Sequence, residues 1–288
     1  MIHKLLFWLK VSRPGLWFAT GWLYLLPTSQ MDIWNSSAFW LGFLYVTFPI
    51  NFLVYGWNDI VDREIDLKNP RKGNFWFGAR GSKQQLDSLW KVIAIVQLPF
   101  FIFFTYLKGW KMALLFLSFT IINGLYNLPK HGLRSNPPWE LLCQVGYLLI
   151  VPLSILINET TPLPWQTYFY LLLFAFQSHL IGEIMDIGPD RLSGRRTTAT
   201  LLGTKRTKLL VIFIVSLEVS LLFFVFKEYI FGGMLGIGLL WLIIDLVLVF
   251  KTKIYTLEQM KLFGFLSNIV AICSMAYVWY SGCLLQIP

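Results

Sequence analysis

Charge is what this sequence is short of. Only 14% of its 288 residues are Asp, Glu, Lys or Arg, against roughly 25% in soluble domains. That shortage excludes an ordinary soluble domain, which needs polar side chains to cover its core. Cysteine is scarce too. Cys143, Cys273 and Cys283 sit in apolar surroundings without the spacing of a metal or redox motif, so they read as packing residues. No low-complexity linker divides the chain, and one domain over residues 1–288 is expected. The N-terminus lacks a small-residue cleavage site, which favours a retained first helix over a removed signal peptide.

What remains is apolar and aromatic: 56% hydrophobic, 17% aromatic, with a mean hydropathy of +0.62. A spanning helix needs about 20 mostly apolar residues. Residues 2–12 form a short basic and aromatic segment suited to the membrane interface. Spans then fall near 14–31, 38–58, 88–107, 111–127, 138–157, 164–186, 208–227, 230–250 and 261–282. The expected fold class is all-α, a polytopic membrane bundle of nine transmembrane helices.

The formal net charge of +9 would suit a nucleic-acid partner, but its placement argues for membrane orientation and no nucleic acid. With nine spans, the N-terminus and the loops after even-numbered spans share one side. All of the 24 basic residues fall there except Lys108, Lys111 and Lys227. Lys/Arg excess marks the cytoplasmic side, so a cytoplasmic N-terminus is expected. The two longest polar loops, about 59–87 and 187–207, lie on the same side.

Each of those loops begins at an acidic cluster. The first reads Asn58-Asp59-Ile60-Val61-Asp62-Arg63-Glu64-Ile65-Asp66. On a continuing helix, Asn58, Asp62 and Asp66 recur every fourth residue on one face. An amide and two carboxylates there make a hard-oxygen surface suited to Mg²⁺; a solvated loop is the bland alternative. Asp59 and Glu64, off that face, read as supporting or solvated acids. The second cluster is Glu183-Ile184-Met185-Asp186-Ile187-Gly188-Pro189-Asp190-Arg191. Glu183 and Asp186 share a helical face, while Gly188-Pro189 is expected to end or bend the helix.

Basic residues flank both clusters: Arg63, Lys68 and Arg71 at the first, Arg191, Arg195, Arg196 and Lys205 at the second. Acids, Mg²⁺ and Lys/Arg together suit a diphosphate. Apolar, aromatic walls above them suit the hydrocarbon tail of an isoprenyl diphosphate. Ionisation of its C–O bond would leave an allylic cation that must be shielded from water until an acceptor attacks. Trp17, Trp22, Phe52, Tyr55, Trp57, Tyr126 and Tyr147 are candidates for the wall that stabilises it.

Asn58-Asp59-x-x-Asp62-x-x-x-Asp66 and Asp186-x-x-x-Asp190 resemble the paired aspartate motifs of the UbiA superfamily of intramembrane prenyltransferases. The resemblance covers nearly the whole chain. The stretches Ser12-Arg13-Pro14, Tyr55-Gly56-Trp57-Asn58-Asp59, Asn69-Pro70-Arg71-Lys72 and Gly194-Arg195-Arg196-Thr197-Thr198-Ala199-Thr200 are most similar to its lycopene elongase branch. By that resemblance, Asn58, Asp62, Asp66, Asp186 and Asp190 are the Mg²⁺ and diphosphate residues. Asp62, Asp66, Asp186 and Asp190 are then catalytic, and Lys68, Arg71, Lys130, Arg191 and Lys205 bind diphosphate. Tyr126 and Lys130 keep the Tyr-x-x-x-Lys spacing of the aromatic-acid enzymes, but His131-Gly132 follow, which argues against an aromatic-acid acceptor.

The expected activity is Mg²⁺-dependent transfer of a prenyl group to a lipophilic acceptor, such as a carotenoid or a quinone precursor, within the membrane lipid. A membrane terpene cyclase and, more distantly, a cation-coupled transporter are the alternatives. Asn51, two turns before Asn58, is expected to line the chamber. Gln177, His179, Glu218 and Asp245 fall inside spans and are left outside the site.

Overall fold

The computed structural model describes residues 2–128 and 132–287 and, at Lys68, the backbone alone. Among these residues every regular element is helical; the sole β feature is an isolated bridge between Asn74 and Gly78. Seven helices are long and apolar enough to cross a membrane: Ser37–Val61, Lys83–Lys108, Trp139–Asn158, Trp165–Leu192, Thr198–Val225, Tyr229–Val247 and Leu257–Ser281. All seven coincide with expected spans.

The other two expected spans are helical but fall short. Trp110–Asn127 has 18 residues, among them Lys111, Asn123 and Asn127. The segment expected at 14–31 is a nine-residue helix, Trp17–Leu25, held between 3-10 turns at Pro14–Leu16 and Leu26–Thr28. Pro14 and Pro27 each deny the ladder an N–H, which breaks a continuous helix into pieces. Thr20 through Tyr24 are buried, so this short helix is enclosed by its neighbours.

The expected polar loop at 187–207 is also different. Trp165–Leu192 runs through Pro189 to Leu192, and the next helix begins at Thr198, leaving only residues 193–197 between them. Pro189 lies in the last turn, where its missing N–H frees a single carbonyl and the helix tolerates it. Thr197 closes the connection with a capping box: its hydroxyl accepts from the Thr200 N–H at 3.2 Å, and the Thr200 hydroxyl accepts from the Thr197 N–H at 2.7 Å.

The main core gathers Tyr24, Phe39, Tyr45, Ile50, Phe104, Met112, Leu153 and Leu171 from six different helices. Apolar side chains also cover the outside: Ile95, Ile102, Phe213, Ile237 and Val270 are all more than half exposed. A large exposed apolar surface fits a helical bundle standing in hydrocarbon.

Candidate active site

Pro49 sets the direction from which the first acids arrive. Lacking an N–H, it bends Ser37–Val61 at Phe48. The Asn51 amide caps that bend, donating to the carbonyls of Val46 at 3.0 Å and Thr47 at 2.7 Å and to the Thr20 hydroxyl at 2.8 Å. Asn51 is fully buried. It is a scaffold residue here, against the expectation that it lines a chamber.

The helix breaks locally at Asp62 (φ −89°, ψ 10°) and restarts as Arg63–Lys68. The register survives the break, because Asp62 N–H donates to the Asn58 carbonyl and Asp66 N–H to the Asp62 carbonyl, both at 2.8 Å. Asn58, Asp62 and Asp66 therefore keep their four-residue spacing. Their side chains divide between two ion clusters. The Asn58 amide donates to Asp62 Oδ2 at 2.9 Å and to Asn127 Oδ1 at 3.2 Å. Asp62 is paired with Arg134 and, at 3.2 Å, with Arg195. Asp66 turns the other way to Lys72, 2.7 Å off, which also holds Asp59.

Trp165–Leu192 brings in the second pair of acids. Arg195 reaches from Asp62 to Asp190, 3.9 Å from its Oδ1, so one guanidinium joins the two acidic helix ends. Asp186 is bound by Arg71 and by the Asn69 amide at 3.4 Å. The segment carrying those two residues is itself fastened down. Arg80 donates to the Asn69 carbonyl at 2.7 Å, and the Asn74 side chain accepts from the N–H groups of Trp76 and Phe77 at 2.9 Å. Trp76 then wedges against Gly15 and Gly264; a Cβ on Gly15 would stand 2.3 Å from the indole.

Asp59 was expected to be a supporting or solvated acid, and it is the former. It is 2% exposed and binds Arg13 at 2.9 Å as well as Lys72. Arg13 in turn lies over the Tyr55 ring, 4.2 Å from its centroid. Glu64 is exposed and meets only Arg63. Burial opposes the charge on Arg13 and Arg195, but facing carboxylates, Asp59 and Asp62 respectively, outweigh it and hold both guanidiniums above their ordinary pKa. For Arg134, burial prevails over Asp62 and lowers the pKa. Burial likewise pushes Asp66 up to about 6, against the pull of Lys72.

Of the basic residues expected at a diphosphate, Arg71 is brought to the acids. Arg191 and Lys205 are exposed, and no carboxylate is paired with either among the described residues. Lys130 and the Lys68 side chain lie outside the described residues. The cations actually in the cluster are Arg13, Arg71, Lys72, Arg134 and Arg195. Their signal was present as Arg13-Pro14, Arg71-Lys72 and Arg195-Arg196, but choosing among neighbours required the path of the loops.

The aromatic candidates divide in the same way. Tyr55 lies at the cluster, and Tyr126 packs edge-on to His179 with centroids 6.4 Å apart. Phe52, Trp22 and Trp57 are packing residues, against Phe48, Phe174 and Trp90. Asp245, expected inside a span, stands near a helix end in an ion pair with Lys208, and Tyr255 donates to it at 2.8 Å. Glu218 is fully buried and accepts from Gln177 at 2.9 Å.

The donor set is all hard oxygen, the kind Mg²⁺ takes. Asp62 Oδ1 and Asp66 Oδ2 are buried, and each faces a cation, Arg134 and Lys72 respectively. Among the described residues, no three His, Cys, Asp or Glu side chains converge on one point; cations stand against the acids, Lys72 and Arg195 each serving two of them. The chemistry of the ligands fits a divalent ion, and gathering them requires those cations to turn away.

Comparison with known proteins identifies the family and the fold. The model of the UbiA prenyltransferase family matches residues 15–269. A lycopene elongase/hydratase of Corynebacterium glutamicum is 30% identical over 213 residues, covering 71% of this chain and 72% of its own. Another from Haloarcula japonica is 28% identical over 204 residues, covering 69% and 68%. Among solved structures, a UbiA homolog from Archaeoglobus fulgidus bound to DMAPP and Mg²⁺ shares the fold, with a TM-score of 0.73 at 16% identity over 94% of this chain and 97% of that one. A chain with seven apolar helices, two acidic helix ends joined by Arg195 and this family match is a multi-pass integral membrane protein of the UbiA prenyltransferase family.

Proposed function

We propose that this protein transfers a prenyl group from an isoprenyl diphosphate to a carotenoid such as lycopene, with Mg²⁺ as cofactor. The observation that carries the reading is the approach of the two acidic helix ends, joined by Arg195 between Asp62 and Asp190, with strong cations set among the carboxylates. The carotenoid acceptor is taken from the relatives named lycopene elongase/hydratase.

Asn58, Asp62, Asp66, Asp186 and Asp190 would hold Mg²⁺, which when bound neutralises phosphate oxygens and favours departure of the diphosphate. Arg71, Lys72, Arg134 and Arg195 then exchange carboxylate for phosphate oxygen as partner. Arginine suits this exchange, because its planar fork binds either anion in two-point fashion. Asn69 and the Trp76 wedge keep Arg71 in place during it. Tyr55 and Tyr126 present ring faces and edges beside the cluster, where an allylic cation would form. Apolar packing above them excludes water that would quench the cation. The acidic face is assigned to the cytoplasm on its basic loops.

Membranes containing the full chain, supplied with lycopene, labelled dimethylallyl diphosphate and Mg²⁺, test the reading. Wild-type protein should release diphosphate and label the carotenoid. Asp62→Ala and Asp186→Ala should each abolish both, and full activity in both variants would overturn the site. A cyclase would instead release a cyclic terpene, without any acceptor, from a longer donor such as geranylgeranyl diphosphate, whose further double bonds can capture the cation.

A further inference from the structure

Prenyl transfer to an alkene leaves a second chemical problem. Attack by the acceptor's double bond on the allylic cation forms the new C–C bond and moves the positive charge to the acceptor. A proton must then leave a neighbouring carbon, and the group that takes it must stand beside the prenylated end of the acceptor. A base is needed deeper in the bundle.

His179 stands there. It lies seven residues before Asp186 on Trp165–Leu192, two turns back on nearly the same face and about 10 Å further into the helix. Its Nε2 is 3.1 Å from Glu183 Oε1. Glu183 is 6% exposed, and its other oxygen accepts from the Ala199 N–H at 2.9 Å, in the first turn of the helix that begins at Thr198. Unpaired N–H groups at a helix start favour a carboxylate. Glu140 binds the adjacent Thr198 N–H at 2.7 Å, so the N-terminus of that helix is filled by two buried acids. The contact is one of distance without hydrogen-bond geometry, so it fixes no tautomer, but it places a carboxylate where an imidazolium would be stabilised by charge. The ring is enclosed against Tyr126 but keeps 18% of its surface accessible.

We propose that His179 is the proton acceptor that ends prenyl transfer, with Glu183 as its positioning residue; the proposal rests on the prenyl-transfer reading above. The C–H bond beside the cationic carbon breaks, and its electron pair becomes the new C=C bond. The proton goes to the free ring nitrogen of His179, and the resulting imidazolium is stabilised by the nearby Glu183 carboxylate until the proton is lost to solvent. A buried histidine serving only to tie helices together would use the same Glu183 contact, so the test must separate the two roles.

The measurement is elongated carotenoid formed per diphosphate released, in membranes with lycopene, dimethylallyl diphosphate and Mg²⁺. General bases contribute roughly 100-fold or more. In His179→Phe the ratio should fall at least tenfold, with the missing product recovered as dimethylallyl alcohol or as hydroxylated carotenoid. His179→Gln should behave alike, and Glu183→Asp should recover more of the ratio than Glu183→Gln. An unchanged ratio in His179→Phe overturns the proposal. Parallel loss of both quantities in His179→Phe, His179→Gln and Glu183→Gln also overturns it, by making the pair structural. Absence of Mg²⁺-dependent diphosphate release in the wild type would instead sink the prenyl-transfer reading itself.

Discussion

Arg195 is the residue whose removal tests the site most sharply, because among the described residues it alone pairs with both acidic helix ends. Its guanidinium is 3.2 Å from Asp62 and 3.9 Å from Asp190, with a side chain 15% exposed. At an effective dielectric of about 20, those separations correspond to about 5 and about 4 kcal/mol of attraction. Much of that is offset by the cost of burying the charges, and breaking one buried partnership typically destabilises by about 3 kcal/mol. Arg134 still holds Asp62, so Arg195→Gln should fold with a stability lower by about that amount in the absence of metal. Two further effects should oppose each other. Asp62 and Asp190 lose a competitor, so Mg²⁺ alone should bind about tenfold more tightly. The diphosphate loses a charged donor worth about 2 kcal/mol, so the KM for prenyl diphosphate should rise about 30-fold. Purified protein in detergent, unfolded thermally across an Mg²⁺ series and assayed for diphosphate release, reads all three. A KM and an Mg²⁺ midpoint both within twofold of wild type would refute the placement of Arg195 between substrate and acids.

Asp66 predicts a pH dependence. Burial raises its pKa from 3.8 to about 6, so protonation favours the folded chain; this contribution is complete below about pH 4 and is lost as pH rises through about 6. Metal needs the ionised form, so the Mg²⁺ midpoint for diphosphate release should worsen about tenfold per pH unit below 6 and level off above about 7; a flat profile from pH 5 to 8 would contradict it. Gly15→Ala puts a methyl 2.3 Å from Trp76 and should displace the segment bearing Asn69 and Arg71, raising KM at least threefold and speeding proteolysis between residues 69 and 82. Arg191→Ala and Lys205→Ala should change KM less than twofold, whereas Arg71→Ala should raise it more than tenfold; equal effects would return the first two to the site.

The four-residue rhythm of Asn58, Asp62 and Asp66 was legible in the sequence because backbone hydrogen bonds carry the helical register across the break at Asp62. Seven apolar helices were legible for the same reason that composition predicts burial: long hydrocarbon-facing runs have no other stable use. The failures share one cause. Where a side chain's role depends on a loop, spacing along the chain says little. Arg71 and Arg191 look equivalent as flanking cations, yet Asn69, Arg80 and Trp76 bring Arg71 back onto Asp186 while Arg191 stays outside. Gly188-Pro189 is expected to end or bend the helix because proline removes an N–H, but its place in a final turn makes that loss small. Asn51 looked like a chamber residue because it shares a face with Asn58; the bend at Pro49 gave it carbonyls to satisfy instead.

The charge balance of the cluster ties these particulars to the proposed chemistry. Asp59, Asp62, Asp66, Asp186 and Asp190 are matched by Arg13, Arg71, Lys72, Arg134 and Arg195, so the buried site is electroneutral and every ion has a partner. Mg²⁺ entering alone must share carboxylates with cations that stay nearby, and a diphosphate entering alone must compete with carboxylates for those cations. Entering together, the metal takes the acids and the phosphate takes the arginines and lysine, and no buried charge is left unpaired. The two ligands should therefore bind with positive linkage, each raising the other's affinity by the same factor. Inorganic diphosphate titrated calorimetrically with and without saturating Mg²⁺, and Mg²⁺ titrated with and without diphosphate, measure that factor twice, after correction for binding between the ligands themselves. A coupling of at least tenfold in both directions is expected from roughly 1.4 kcal/mol or more of relieved buried charge. Independent binding would mean that the ion pairs do not open, and that the cluster holds the fold together without serving as the place where diphosphate leaves.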